Sequence, residues 1–263
     1  MNSSVTVITI TRNDLSGLVR TIESVRTQSA RGVEHIVIDG GSTDGTVEYL
    51  DSLGDSLVWN TGLDSGRYDA MNIGAELASG ELLWFMHSSD VFHSGDVLER
   101  VSREYQRGDV SWRWGYGLSN IHDSGSSIGI GGRIPFSLSR FSLGGNIIPH
   151  QACVIEKSLH VEIGGYDTEF GLSADQLYLL KMAVRSEPRV WTEFFCDFDS
   201  AGAGSVRGMM DHYRDMRRSR ALTGVTVFRS HRLDYAVSLG VALLAKTDRV
   251  QRRVLAGVTP RVR

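Results

Sequence analysis

Ile36-Val37-Ile38-Asp39-Gly40-Gly41-Ser42-Thr43-Asp44-Gly45-Thr46 joins a β-branched apolar run to a glycine-rich polar loop, and then to a segment with helical spacing from about Thr43 to Leu53. It reads as a strand, a loop and a helix. The same pattern precedes it, where Val5 to Ile10 leads through Thr11-Arg12-Asn13-Asp14 into Leu15, Leu18, Val19, Ile22 and Val25. It recurs downstream. Leu57 to Trp59 is followed by Asp64-Ser65-Gly66-Arg67-Tyr68-Asp69-Ala70-Met71-Asn72-Ile73-Gly74 and a helix from about Tyr68 to Ala78, and Leu82 to Met86 runs into His87-Ser88-Ser89-Asp90. Strands alternating with helices predict an α/β fold, with a mostly parallel central sheet and helices on both faces. Ligands of such sheets bind at the carboxyl ends of the strands. The acid-bearing loops collect at those ends.

Beyond a helix at about Gly95 to Gln106 the rhythm changes. Val110 to Leu118 reads as a strand that sets Trp112 and Trp114 on one face, where they either pack or offer an aromatic platform. The Gly/Ser-rich Ser124 to Gly132 reads as irregular. Helical spacing returns in Lys157 to Ile163 and Ala174 to Val184, and Val190 to Phe195 reads as a late strand. From about Ser205 the chain is helical and basic, which divides it into a domain over 1–205 and an extension over 206–263.

The 263 residues carry a net charge of −3, unevenly placed. From Arg207 to Arg263 there are 13 Lys and Arg against 4 Asp and Glu, which leaves an acidic body of 15 against 27. Two cysteines are too few for a disulfide framework, and the N-terminus lacks the basic and apolar regions of a signal peptide, so a cytoplasmic location is expected. Leu233 to Ala245 is apolar but shorter than the roughly 18 to 20 residues of a membrane span. Flanked by cations, it reads either as a helix lying on an anionic membrane surface or as one docked on the body. No nucleic-acid module is visible. Neither a G-x-G-x-x-G fingerprint nor a G-x-x-x-x-G-K-[ST] loop occurs, which excludes the usual dehydrogenase and P-loop signatures.

Over about residues 4 to 185 the motifs, in order, resemble the inverting family 2 glycosyltransferases of GT-A fold. The resemblance rests on Thr11 and Asn13 after the first strand, the Ile38 to Thr46 run, the Asp64 to Asn72 run, Ser88-Ser89-Asp90 and Ser173-Ala174-Asp175. It implies a sugar moved with inversion from a nucleotide-diphosphate donor to a hydroxyl of a glycan, glycolipid or lipid-linked acceptor. It further implies a donor site drawing on Thr11, Asn13, Asp39, Ser42, Asp64, Gly66, Arg67, Asp69, Asn72 and Ser89. Chemistry supports this. A carboxylate at Asp39 accepts from a base N–H, Gly40 and Gly41 allow close backbone approach, and the planar fork of Arg67 suits phosphate. Asp90 falls where the family binds a divalent metal, Mg²⁺ or Mn²⁺, although the motif here keeps one acid. His87 and His150 are candidates for a nitrogen ligand.

By the same resemblance Asp175 is the catalytic base, and His150-Gln151 lie on the acceptor side. A carboxylate at a helix start favours the ionised form that a base requires. Asp39, Asp44 and Asp175 also have the plainer reading of strand ends and helix caps. A nucleotidyltransferase, or a non-catalytic nucleotide-sugar-binding subunit, are the alternative functions.

Overall fold

The computed structural model describes residues 5–62, 64–108, 111–123, 125–145, 148–199 and 209–256. The first part alternates as expected: β1 (Val5–Thr11), α1 (Leu15–Arg26), β2 (Glu34–Asp39), α2 (Thr46–Ser52), β3 (Val58–Thr61), α3 (Arg67–Leu77) and β4 (Leu82–His87). β1 pairs in parallel with β2 and β4, and β2 in parallel with β3. Every residue of β1 is buried, as a parallel strand covered by helices on both faces must be. Ile8, Ile38 and Phe85 pack on Tyr68 and Met71 of α3. Val7, Trp84 and Met86 pack on the opposite side with Val25 of α1.

The second part comprises β5 (Val91–Phe92), α4 (Val97–Arg107), β6 (Trp114–Asp123), β7 (Ser126–Gly131), α5 (Leu138–Ser142), β8 (Cys153–Glu156), α6 (Lys157–Glu162), α7 (Ala174–Arg185) and β9 (Arg189–Asp199). They extend one sheet in the order β3-β2-β1-β4-β8-β6-β9-β5, with β7 on β6. β8 is antiparallel to both β4 and β6, so the parallel pairing of the first half gives way to a mixed second half. The reversal at β8 brings its leading residues to the carboxyl end of β4, because Trp84 registers with Val154.

Three expectations are corrected. β6 starts at Trp114, so Trp112 lies before it, and the two indoles enter different cores, Trp112 against Tyr105 and Trp191 and Trp114 against Tyr116 and Phe136. Both are buried, and neither is a sugar platform. The Ser124 to Gly132 segment is regular over β7, a hairpin strand on β6. α2 begins at Thr46 because Asp44 turns its carboxylate to the Thr46 amide and hydroxyl, and to the Leu15 amide that opens α1.

α8 (Met209–Thr223) and α9 (His231–Ala256) follow. α8 buries Tyr213 and Met216, and its fully buried Arg220 donates to the Ser142 carbonyl at the end of α5. Arg218 lies over the Phe170 ring at 4.4 Å and donates to the Phe170 carbonyl. Arg207, part of the basic extension, lies outside the described residues. Among the described residues no helix is long and apolar enough to cross a membrane.

α3 lies close on β1 because Gly74 has no side chain: a Cβ there would stand 2.4 Å from Cγ2 of Ile8. Gly74→Ala is therefore expected to lose about 1–3 kcal/mol of stability through overpacking. Urea denaturation reads this, and an unchanged midpoint would overturn the account.

Candidate active site

Two loops at the carboxyl ends of β1 and β2 are laced together by their polar side chains. Asn13, with φ of 51°, donates its amide to Oγ of Ser42 at 2.7 Å, and its Oδ1 accepts from the Thr43 amide at 2.8 Å. Asp39, with no exposed surface, accepts from the amides of Gly41 and Ser42 and from the hydroxyls of Ser42 and Thr61. Thus the carboxylate at the end of β2 organises its own loop and pins the end of β3. Thr11 is buried beneath this lacing.

The Asp64 to Asn72 run meets those loops at Gly40. A Cβ on Gly40 would stand 3.1 Å from Oδ2 of Asp64 and 3.4 Å from Cδ of Arg12, so hydrogen at this position lets the two loops approach. Asp64 Oδ1 accepts from the Gly66 amide, and Asp69 Oδ2 accepts from the Ser65 amide, which shapes the turn into α3. Gly66, at φ of 132°, adopts a backbone conformation that favours glycine. Arg67 opens α3, half-buried, and its charge reaches the His87 ring. Asn72 is placed differently from a ligand-lining residue: its Nδ2 donates to the Tyr166 carbonyl and its Oδ1 accepts from the Tyr166 amide, each at 2.9 Å.

Asp175 stands in the first turn of α7, where backbone N–H groups favour an anion. About a quarter of its side chain is exposed, 23%. Oδ2 lies 3.6 Å from Nδ1 of His150 and accepts from Nε2 of Gln176 at 3.2 Å. Oδ1 lies 3.4 Å from the Tyr68 hydroxyl, which donates to the Leu172 carbonyl at 2.9 Å. Burial pushes the Asp175 carboxyl up, but His150 and Gln176 outweigh it and hold the group below the usual carboxylate range. The His150 ring packs edge-on against His87, centroids 4.9 Å apart. Burial, then the neighbouring His150, holds His87 well below its ordinary value, so its imidazole is neutral. Nε2 of each ring is buried without a hydrogen-bond partner among the described residues. The adjoining Gln151 is buried, and its carbonyl accepts from the Trp84 indole.

Asp90 and Ser89 occupy the loop after β4. Ser89, at φ of 78°, donates to Oδ2 of Asp14 and accepts from Arg20, so its hydroxyl faces α1. Asp90 is 3% exposed. Its carboxylate lies near Cys196, whose thiol is pushed up first by burial and then by this charge. His87 and His150, candidates for metal nitrogens, are grouped with Asp175 instead. Among the described residues no three His, Cys, Asp or Glu side chains converge as a metal site. What the described residues offer a divalent cation at this loop is the single, almost fully buried carboxylate of Asp90, and a Mg²⁺ or Mn²⁺ ion held there would take most of its oxygens from phosphate and water.

Tyr68, Tyr166 and Gln176 surround Asp175 without having been singled out by sequence. Tyr68 lies inside the quoted Asp64 to Asn72 run, whereas Tyr166 and Gln176 carry no local signal.

Residues 6–148 match the family model described as glycosyl transferase family 2. An uncharacterized glycosyltransferase of Mycobacterium tuberculosis is 42% identical over 257 residues, 95% of this chain and 96% of that protein. A PGL/p-HBAD biosynthesis glycosyltransferase of Mycobacterium bovis is 31% identical over 64% of this chain and 65% of its own length. Among solved structures, S. aureus TarS aligns with a TM-score of 0.64 at 14% identity, covering 88% of this chain. The match spans 41% of the TarS chain, less than half its length. A mannosyltransferase of Pyrobaculum calidifontis, solved with GDP-Man and Mn²⁺, aligns with a TM-score of 0.60 at 18% identity, over 99% of this chain and 77% of that one. At such identities the likeness is one of fold.

Asp39 holds four donors in a buried position, so Asp39→Asn, which sets an amide N–H₂ among them, is expected to cost about 2–4 kcal/mol. Thermal or urea denaturation measures it. A variant as stable as the parent would show that the carboxylate does not organise the loop.

Proposed function

The chain belongs to glycosyl transferase family 2, and from that premise we propose that it transfers a hexose from a nucleoside-diphosphate donor to an acceptor hydroxyl with inversion. The observation that carries this reading is Asp175: a partly exposed carboxylate, held ionised at a helix start, facing the Asp64 to Asn72 loop through Tyr68. Asp39, Ser42, Asp64, Gly66, Arg67 and Asp69 lie on the loops that would receive the donor, with Thr11, Asn13, Asn72 and Ser89 supporting them. Residues 1–205 form the catalytic domain in this proposal, and 206–263 its basic extension.

In the proposed step Asp175 accepts the proton of the acceptor hydroxyl while that oxygen attacks the anomeric carbon. The bond to the diphosphate breaks on the opposite face, and its electron pair leaves with the phosphate oxygen. One such proton transfer contributes typically 10²–10⁴-fold in rate. Arg67 supplies positive charge beside the leaving diphosphate. Asp90 would hold Mg²⁺ or Mn²⁺, which when bound neutralises charge on that phosphate. The acceptor in this proposal is a hydroxyl of a glycan, glycolipid or lipid-linked substrate, met on the cytoplasmic side at an anionic membrane surface.

Differential scanning fluorimetry against nucleoside diphosphates and nucleotide sugars, with and without Mg²⁺ or Mn²⁺, tests the donor site. A ligand at 100 times its Kd is expected to add about 2.7 kcal/mol of stability. Asp90→Ala is expected to remove the metal-dependent part of the rise, and no response to any donor would overturn the reading.

Asp175→Asn is expected to fold and bind donor normally but to lose transfer by at least about 10²-fold. Retained turnover would remove Asp175 from the base role. The pH dependence follows from the sign of its shift. The base works only when ionised, and His150 helps to hold its pKa down, so His150→Gln raises that pKa. The acid limb of the pH–rate profile is then expected to move to higher pH, with the donor KM little changed. An acid limb that stays in place would show that His150 does not act on Asp175.

A further inference from the structure

α9 is mounted with its polar side inward. Asp234, Ser238 and Ala242, one turn apart, are buried, while Leu233, Ala236, Gly240 and Leu243 on the opposite face are exposed. Leu233 is 49% and Leu243 61% exposed. A helix docked for the hydrophobic effect would present its leucines to the body. Here the docking is polar instead. Asp234 accepts from the amides of Val227 and Phe228, and Arg217 of α8 lies over the Tyr235 ring at 4.2 Å. Phe228, before the helix, is 46% exposed and stands next to the exposed Arg229, with the exposed Arg232 in the first turn of the helix.

We propose that the outward face of α9, Leu233, Ala236, Gly240 and Leu243 with Phe228, is the surface by which the enzyme lies on an anionic lipid bilayer. The proposal deepens the reading of a membrane-presented acceptor and rests on it only for its purpose, not for its evidence. Charge complementarity selects the occupant. Exposed Arg229 and Arg232 flank the leading end of the apolar stripe, and a bilayer with acidic headgroups offers both an apolar layer and negative charge to such a helix. The cations of α8 contribute little, because Arg217, Arg218 and Arg220 are engaged with Tyr235, Phe170 and Ser142, and Arg214 is paired with Asp211 of its own helix.

The test is co-sedimentation of the full chain with phosphatidylcholine vesicles, with and without phosphatidylglycerol, at low and high salt. Binding is expected only with phosphatidylglycerol. It is expected to weaken at high salt, where screening shortens the reach of surface charge, and to fall at least about tenfold in Leu233→Glu/Leu243→Glu. Both side chains are exposed, so the double variant should keep the melting temperature and donor response of the parent. Loss of the donor response in the parent itself would count against the transferase reading, not against the surface. No vesicle binding at low salt, or binding indifferent to the double variant, would overturn the proposal. A dimer in sedimentation velocity that the same substitutions dissociate, without vesicle binding by the parent, would also overturn it and assign the face to a second copy.

Discussion

The amide of Asn72 closes two hydrogen bonds on the backbone of one residue, Tyr166, and the geometry of the site depends on that clamp. Asn72 sits in α3, directly after the loop proposed to hold the donor, while Tyr166 begins the stretch that leads to Asp175. One turn earlier Tyr68 ties its hydroxyl to the Leu172 carbonyl. Two side chains of one helix thus hold both ends of the segment preceding the proposed base. The Tyr166 ring stacks on Tyr178 at 4.0 Å and on Tyr68 at 5.5 Å, which braces the clamp with buried aromatic area. The distance between a donor loop and a base is set by such contacts, and reactions between positioned groups gain most from fixing it.

The clamp also explains why a residue within a binding-loop motif need not touch a ligand. Asn72 and Asp39 both belong to runs that read as ligand-binding, yet in the structure each is engaged by backbone or hydroxyl groups of its own scaffold. A loop that must meet a charged ligand cannot rely on apolar burial to hold its shape, so polar side chains do so through hydrogen bonds. Asp64 and Arg67, beside them, are less enclosed.

What could be read from the chain divides along the range of the interaction. The strand–loop–helix order up to β4 was legible because period and loop composition are local, and family motifs pointed to Asp175 at a helix start. The pairing of His150 with Asp175 was not, since it follows from the antiparallel entry of β8 beside β4. The indoles of Trp112 and Trp114 illustrate register: spacing puts them on one face only if the strand includes both, and it begins at the second. Ser124 to Gly132 looked irregular because its glycines mask a hairpin strand that exists by pairing with β6.

The C-terminal helices show the same principle with opposite consequences. From about Ser205 the chain reads simply as helical and basic, but a guanidinium can be buried when carbonyls and aromatic faces receive it. Arg220 meets the carbonyl end of α5, and Arg218 meets Phe170. The apolar run of α9 reads either as a helix on a membrane surface or as one docked on the body, and the side that docks meets α8, whose Arg217 and Arg220 receive Tyr235 and Asp234. Burial of a carboxylate near Arg220 is tolerable because that charge and two backbone amides receive it. Polarity at the docking face therefore turns Leu233 and Leu243 of α9 outward, and the orientation of an amphipathic helix follows the chemistry of what it lands on.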